Sequence, residues 1–185
     1  AGYEVEDVVL EPLASAAAVL DDDEKELGVC VVDLGCGTTD LAIYIGGELK
    51  HTQVLGVGGD QLTRDLSNEL LTPVAEAERI KREWGVAAAH LVDELETVDV
   101  PSVGGRASRK LERKRIASII EARLFLLFET VGSALAESGY AGALGGGVVV
   151  TGGGASLRGI AELAERALDL PVRRGLPRNV VCKDG

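Results

Sequence analysis

A buried strand and the glycine-rich loop that follows it constrain the fold of this 185-residue chain most strongly. The strand is the continuous apolar run LGVCVVDL, from Leu27 to Leu34, whose length and β-branched content are typical of a strand buried on both faces. It leads into the loop Asp33 to Asp40, which has the pattern D-x-G-x-G-T-T-D. Apolar segments at 41–45 and 48–55 flank Gly46-Gly47 and predict a tight hairpin, and therefore a meander of three strands.

The loop has the composition of a phosphate-binding turn. Glycines let the backbone approach a ligand closely, and the amides of such a turn point inward toward phosphate oxygens. Thr38 and Thr39 add hydroxyl donors, and Asp33 is placed to hold a hydrated Mg²⁺ through water. The alternative is a hairpin whose glycines serve only the turn. An acidic residue on each side of a Gly/Thr run is unusual for a plain turn, which favours the phosphate site.

Two later segments have weaker meanings when each is taken alone. Glu78, Lys81 and Arg82 share one face of a predicted helix and can grip a ribose or cover an adenine. The alternative for these residues is a solvated face with internal salt bridges. The apolar run Val148 to Val150 ends in Thr151-Gly152-Gly153-Gly154, and a strand, glycine loop and helix in succession is the architecture of a phosphate site.

Hydrophobic periodicity and turn residues predict the remaining elements. These are a short strand and an alanine-rich helix within 7–20, an acidic turn at 21–24, a helix through 62–70, a helix from Pro73 to Trp84 with Thr72 as N-cap, a strand at 95–100, a long helix over 109–138 capped by Ser108, and a helix over 156–168. We therefore expect an α/β fold.

Composition narrows the class of protein. The net charge of -11 disfavours nucleic acid and anionic membrane surfaces as partners, although a basic face is present at 106–115. Cys30, Cys36 and Cys182 are an odd count without C-x-x-C spacing, which favours reduced thiols in the cytosol. No apolar run reaches the roughly 18 residues of a membrane span. Because the chain contains no methionine, we expect it to be a piece of a longer protein.

Together, the three motifs resemble the second half of the actin-like ATPase superfamily, in the same order. Within it the chain resembles most closely the FtsA family of bacterial cell-division proteins. The segments that carry this resemblance are EPLASAAAVL, VVDLGCGTTDLAIYIGGEL, VLGVGGDQLTRDL, AERIKREWG, VPSVGGRASRKLERKRIASIIEARL and VVVTGGGASLRGIAELAE. The segment Val100 to Arg123 is the most discriminating, because it is not part of the general nucleotide fold.

The resemblance implies one ribonuclease H-like lobe with a mixed sheet flanked by helices and a smaller inserted α+β subdomain. The larger subdomain would comprise residues 1–58 and 140–185, and the insertion 59–139 with a basic helix at 106–123. It also implies ATP and Mg²⁺ as ligands. The residues that would contact them are Asp33, Gly35, Cys36, Gly37, Thr38 and Thr39 for phosphates and Mg²⁺, Glu78, Lys81 and Arg82 for ribose and base, and Gly152, Gly153 and Gly154 for adenosine. Cys36 replaces the usual third glycine of the family loop, which is either a harmless substitution or a tightening of the pocket by a thiol.

The resemblance also implies partners and a location. The tail of the tubulin-like protein FtsZ, which mixes acidic and apolar residues, would bind Arg106, Arg109, Lys110, Arg113 and Lys114, although these residues can also form a solvated helix face. Self-association and attachment to the cytoplasmic face of the membrane at the division septum, through a C-terminal helix outside this chain, are further implications. Without the first lobe, we expect poor nucleotide affinity.

Three functions follow as hypotheses. The first is a cytoskeletal adaptor that binds ATP, hydrolyses it slowly at best, and recruits FtsZ to the membrane. The second is an enzyme that turns over ATP rapidly, as sugar kinases do, but no candidate base beyond Asp33 is visible. The third is an actin-like scaffold for pilus assembly or cell shape.

Overall fold

The computed structural model describes residues 4–5 and 7–177 of the chain. Its α-helices are α1 (Glu11–Val19), α2 (Asp22–Leu27), α3 (Gly59–Leu70), α4 (Val74–Trp84), α5 (Arg113–Ser138) and α6 (Ile160–Leu168). Its strands are β1 (Val29–Leu34), β2 (Thr39–Ile45), β3 (Glu48–Leu55), β4 (Thr97–Val100), β5 (Arg109–Glu112), β6 (Val148–Thr151) and β7 (Val172–Arg174). Cys182 lies outside the described residues.

A five-stranded mixed sheet forms the centre of the fold, in the order β3-β2-β1-β6-β7. The three-strand meander β1-β2-β3 is antiparallel, whereas β6 and β7 run parallel to β1. All six residues of β1 are buried, as the sequence predicts for a strand covered on both faces. Val29 and Val31 pack in one hydrophobic cluster with α1. Cys30 and Val32 belong to a second cluster with α3, α5 and α6, so helices flank both faces of the sheet.

The hairpin between β2 and β3 forms where the glycine pair predicts it. Gly46 and Gly47 have φ angles of 61° and 73°, which side chains other than glycine adopt only with strain. Two consecutive positive φ angles give a turn whose twist matches that of the flanking strands. The turn residues therefore explain the register of the meander.

The chain between β3 and β6 forms α3, α4, a two-stranded ribbon of β4 and β5, and the long helix α5. Val98 and Val100 of the ribbon belong to the same hydrophobic cluster as Ile116 and Ile120 of α5 and the inner face of the central sheet. One continuous core therefore joins these elements, and a boundary between two subdomains near residues 59 and 139 stays a prediction.

Two predictions near the start of the chain are wrong. Residues 7–10 form no strand, and the acidic segment at 21–24 is not a turn but the start of helix α2, with Asp21 as its N-cap residue. The Glu24 carboxylate accepts a hydrogen bond from the backbone N–H of Asp21 at 2.9 Å, as helix-capping acids do. Glu24 also forms an ion pair with Arg173 near the opposite end of the sequence, at 2.6 Å. The ion pair leaves no local signal, but Asp21 and Glu24 together form a capping box, which the turn prediction overlooks.

The predicted starts of helices α4 and α6 are also wrong. Helix α4 begins at Val74 with Pro73 as its N-cap residue, and the buried hydroxyl of Thr72 has no hydrogen-bond partner among the described residues. The helix after the third glycine loop begins at Ile160, because a 3₁₀ turn occupies Gly153–Ser156 and Gly159 has a φ of 85°.

The basic segment at 106–123 is only partly helical, which corrects the predicted cap at Ser108. Arg109–Glu112 pairs with β4 as an antiparallel strand, and α5 begins at Arg113. Alternation of the apolar Val98 and Val100 with polar residues in β4 is visible in the sequence, but its partner strand consists mainly of charged residues. The strand conformation of β5 therefore comes from its pairing with β4 and not from its own composition.

Leucines two positions apart on α5 test the assignment of its buried face. Leu124 is fully buried and Leu126 is 53% exposed. We expect Leu124→Ala to lower the free energy of unfolding by about 2–5 kcal/mol, because it removes buried methyl groups and leaves a cavity. Leu126→Ala is the matched control and should change it by roughly 0.5 kcal/mol or less. Urea unfolding of both variants measures the difference, and equal losses would contradict the assigned face.

Candidate functional site

The glycine loop after β1 is held in place by the start of α3. The Gly35 N–H donates to the carbonyl of Thr38 at 3.0 Å and closes the turn. The N–H groups of Gly59 and Asp60 donate to the carbonyls of Gly35 and Cys36, at 2.9 and 2.8 Å. Gly58 lies so close that a Cβ there would overlap the Cys36 carbonyl. The first amides of α3 thus fix the shape of the loop.

Asp33 lies at the buried edge of this loop. It pairs in register with Asp40 of β2 and with Thr151 of β6. One carboxylate oxygen, Oδ2, accepts a hydrogen bond from the hydroxyl of Ser15 on α1. The other, Oδ1, lies against Gly152, where a Cβ would overlap it. The carboxylate is therefore held from two sides.

Both threonines of the loop use their hydroxyls within the protein. Thr38 donates to Asp40 Oδ2 at 3.0 Å, and the fully buried Thr39 donates to the carbonyl of Val57 at 2.7 Å. The Thr39 bond ties the start of β2 to the segment before α3. By contrast, a Cβ at Gly37 would meet no atom within 4 Å, so this position faces open space.

Lys81 on α4 joins α4 to α3. Its ammonium donates to the Gly59 carbonyl at 2.9 Å and to the Thr63 hydroxyl at 2.8 Å, and it forms an ion pair with Glu78 at 2.7 Å. Three contacts use all three donors of the ammonium group. The Lys81 side chain is only 13% exposed. Lys81 is thereby positioned as a link from α4 to Gly59, which in turn bonds the glycine loop.

The carboxylate of Glu78 is held by the same network. Partial burial raises its pKa, but hydrogen bonds from Lys81 and Thr63 outweigh burial, so the pKa lies below its ordinary value. Glu78 therefore remains ionised at neutral pH. Thr63 was not predicted as part of the site. Its position in the sequence, one helical turn after the start of α3 at Gly59, is the indication that Thr63 lies near the loop.

The third glycine segment packs against the end of β1. Gly152 has a φ of 83°, and a Cβ at Gly154 would overlap the side chain of Leu34. A Cβ at Gly153 would meet no atom within 4 Å, so this residue lies on the open side. Close packing, rather than turn formation alone, explains why glycine occupies positions 152 and 154.

The three segments meet around one cleft of about 460 Å³. The predicted residues that line it are Gly35, Cys36, Glu78, Lys81, Arg82, Gly153 and Gly154. The remaining predicted residues, Asp33, Gly37, Thr38, Thr39 and Gly152, do not line it. Residues that sequence reasoning missed are Leu34, Gly59, Leu62, Gly85, Ser156 and Leu157. Gly85 is placed there by close packing, since a Cβ would overlap the Lys81 carbonyl.

The two cysteines within the described part of the chain differ sharply. Cys36 is exposed and lines the cleft. Cys30 is buried in β1, and desolvation raises the pKa of its thiol to about 12. Because the thiolate is the reactive form, Cys30 is expected to be inert at neutral pH.

Asp33 is the residue predicted to hold a metal ion, and although it does not itself line the cleft, the next residue, Leu34, does. No group of three or more His, Cys, Asp or Glu side chains that could hold a metal ion occurs among the described residues. Asp33 offers one carboxylate, which fits Mg²⁺ because this ion keeps most of its water shell and binds through one or two carboxylates plus phosphates.

The predicted partner-binding cations fall into two groups. Arg113 pairs with Glu96 at 2.5 Å and lies 5.7 Å from the centre of the Trp84 ring, and Lys114 pairs with a second acid, Glu94, at 2.7 Å. The others are exposed: Arg106, Lys110, and Arg109, which also donates to the carbonyl of Leu70. Arg113 is thus largely engaged within the protein, whereas Lys114 forms a surface ion pair and its side chain is still 42% exposed.

Comparison with known proteins shows where this architecture occurs. The model of the family "Cell division protein FtsA" matches residues 30–184. The FtsA protein of Pseudomonas aeruginosa is 48% identical over 179 residues, which cover 97% of this chain and 43% of the relative. The Escherichia coli K12 protein is 41% identical over 97% of the chain, and the Bacillus subtilis protein 38% over 100%. The chain spans less than half the length of these relatives.

Solved structures with the same fold are actin-like. MreB5 of Spiroplasma citri bound to ADP superposes with a TM-score of 0.71 at 20% identity, over 95% of this chain and 56% of that protein. The same protein bound to AMPPNP gives 0.68 at 23% identity, over 88% and 51%. A type IV pilus complex of PilM and PilN gives 0.59 at 20% identity, over 88% and 38%.

Within the described residues, no helix is both long enough and apolar enough to cross a bilayer.

The solved structures confirm the predicted actin-like fold, and the sequence matches show which family with this fold the chain resembles. Together, the family-model match and the identity to curated relatives over nearly the whole chain show that this chain belongs to the FtsA family of cell division proteins.

Proposed function

We propose that this chain forms one wall of an ATP site in an actin-like cell-division protein. The observation that carries the proposal is the convergence of three segments, distant in sequence, on one cleft. Its volume of about 460 Å³ lies in the range of small-molecule sites. The nucleotide complexes of the MreB5 structures support a nucleotide as the ligand.

Each wall of the cleft offers a different contact to ATP. The exposed loop at Cys36, which lines the cleft, and Gly37, which follows it just outside the lining, would receive phosphates on backbone amides. Glu78, held ionised by its neighbours, would accept hydrogen bonds from ribose hydroxyls. The exposed Arg82 would cover the base with its planar guanidinium, and Gly153 and Gly154 would let the adenosine approach the backbone.

Mg²⁺, when bound, would neutralise phosphate charge, and Asp33 would accept hydrogen bonds from its waters. Among the predicted residues, Asp33 is the carboxylate that lies where the end of β1 meets the glycine loop. Such a site supports nucleotide binding with slow hydrolysis more readily than rapid turnover, since positioning groups for an attacking water are needed in addition.

We also propose that the protein binds the tail of FtsZ, self-associates, and acts at the cytoplasmic face of the membrane at the division septum. The exposed Arg106, Arg109 and Lys110 are suited to an acidic tail. Two exposed apolar residues, Leu71 and Val74, follow Leu70, whose carbonyl binds Arg109, and would contact the apolar residues of the tail. A pilus or cell-shape scaffold is the alternative, and its support is limited to low-identity structural likeness.

Cys36 provides a direct test of the ATP site. Because this exposed thiol lines the cleft, we expect saturating ATP with Mg²⁺ to slow its alkylation by iodoacetamide at least about fivefold, in the full-length gene product that carries this sequence. Peptide mass spectrometry reports Cys36 separately from Cys30 and Cys182. Cys30 should stay unlabelled with or without ATP. An unchanged rate at Cys36 would contradict the site.

Charge reversal tests the FtsZ interface. We expect Arg106→Glu/Lys110→Glu to weaken binding of an FtsZ tail peptide by about tenfold or more, since it replaces attraction by repulsion. Lys50→Glu/Arg174→Glu makes the same change in net charge on strands β3 and β7 and is the matched control. Fluorescence anisotropy of the labelled peptide measures both. Equal effects of the two variants would place the tail elsewhere.

A further inference from the structure

Ser15 lies outside every motif that predicts the nucleotide site, yet it contacts the carboxylate on which the Mg²⁺ proposal depends. It occupies the middle of α1, and its hydroxyl donates to Asp33 Oδ2. We infer that Ser15 is a positioning residue that holds Asp33 for a hydrated divalent cation. The inference rests on the proposed ATP site and deepens it.

Packing fixes the position of Ser15. Its neighbour Ala16 and Val19, one turn later, are buried against Val31 of β1 and Val149 of β6. Pro12 is also buried. Helix α1 is therefore anchored to the sheet by the residues that follow Ser15, and the hydroxyl meets the Asp33 carboxylate across 18 residues of sequence.

The carboxylate has restricted freedom on its other side too. Gly152 lies against Asp33 Oδ1 so closely that a Cβ would overlap it. A hydrogen bond at Oδ2 and backbone contact at Oδ1 together select one orientation of the group. A hydroxyl bond to a carboxylate is charge-assisted and stronger than a neutral one. Groups that orient a metal-binding carboxylate raise metal affinity, because the ligand loses less entropy on binding.

The same geometry distinguishes a positioning role of Ser15 from a general contribution of Ser15 to the stability of the fold. Loss of the Ser15 hydroxyl would free Asp33 to rotate without removing any of the amides or side chains that line the cleft. Binding of ATP without Mg²⁺ would then be unaffected, whereas the gain in affinity that Mg²⁺ supplies would fall. A merely structural role would weaken both kinds of binding together.

The test measures the dissociation constant of ATP with Mg²⁺ and with EDTA, in the full-length gene product that carries this sequence. For Ser15→Ala we expect the Mg²⁺-dependent gain to fall by about fivefold, less than the roughly 10- to 100-fold typical of groups that orient direct ligands, since Asp33 acts through water. Binding in EDTA should stay unchanged. Ser133→Ala, which removes an exposed helical hydroxyl that donates to the backbone carbonyl of Glu129, is the matched control and should change neither value.

A second pair of variants keeps the test decisive if Ser15→Ala fails to fold. Ser15→Thr and Ser15→Val have nearly the same shape and differ in the hydroxyl. We expect the threonine variant to retain the Mg²⁺-dependent gain and the valine variant to lose it. If the unmodified protein binds ATP with a Mg²⁺-dependent gain that neither Ala nor Val reduces, the role of Ser15 is overturned while the ATP site stands. If the unmodified protein binds no ATP, both proposals fail.

Discussion

Burial of β1 on both faces is the constraint on which the rest of this structure depends. Alternate residues of the strand enter two hydrophobic clusters, one with α1 and one with α3, α5 and α6. A strand covered in this way has one permitted register, because a shift by one residue would exchange the two clusters. The carboxyl end of β1 is thereby fixed, and with it Asp33 and the glycine loop. Ligand sites of open α/β sheets form at such strand ends.

A chain of hydrogen bonds connects the glycine loop to helices α3 and α4. Lys81 binds Gly59, and Gly59 binds the carbonyl of Gly35 in the loop. The resemblance implies that Lys81 contacts the nucleotide, but its ammonium already has three protein partners. Its main contribution in this structure is to connect α4 with α3 and, through Gly59, with the glycine loop. Glu78 and Arg82, which are more exposed, are better placed to meet a ligand.

The sequence is sufficient to predict the parts of the fold that local pattern determines. The structure confirms the apolar run of β1, the Gly46-Gly47 turn and the α/β architecture. These features could be predicted because residues adjacent in sequence determine their burial and backbone conformation. The start of α5 is predicted wrongly, since β5 exists only through its pairing with β4. Helix α2 is missed for a different reason, because its capping box of Asp21 and Glu24 is a local signal that lies within an acidic run typical of a turn.

The candidate site shows the same division between local and distant information. Sequence motifs predict three segments of the site, and in the structure residues of all three line one cleft. They do not reveal Ser15 or Thr63, whose contacts with Asp33 and Lys81 arise from tertiary packing. Nor does composition show that Arg113 forms an ion pair with Glu96 and lies over the Trp84 ring, while Lys110 is exposed. Charge counted along the sequence overstates the surface available to a partner.

Hydrogen–deuterium exchange, followed by mass spectrometry with and without ATP and Mg²⁺, tests the convergence of the three segments most directly. We predict that ATP slows exchange together in peptides covering 35–38, 78–85 and 153–157, whose residues line or adjoin the cleft. Exchange in the β5 peptide 109–112, outside the cleft, should not change. Protection of only one segment, or equal protection of β5, would contradict a nucleotide site shared by all three.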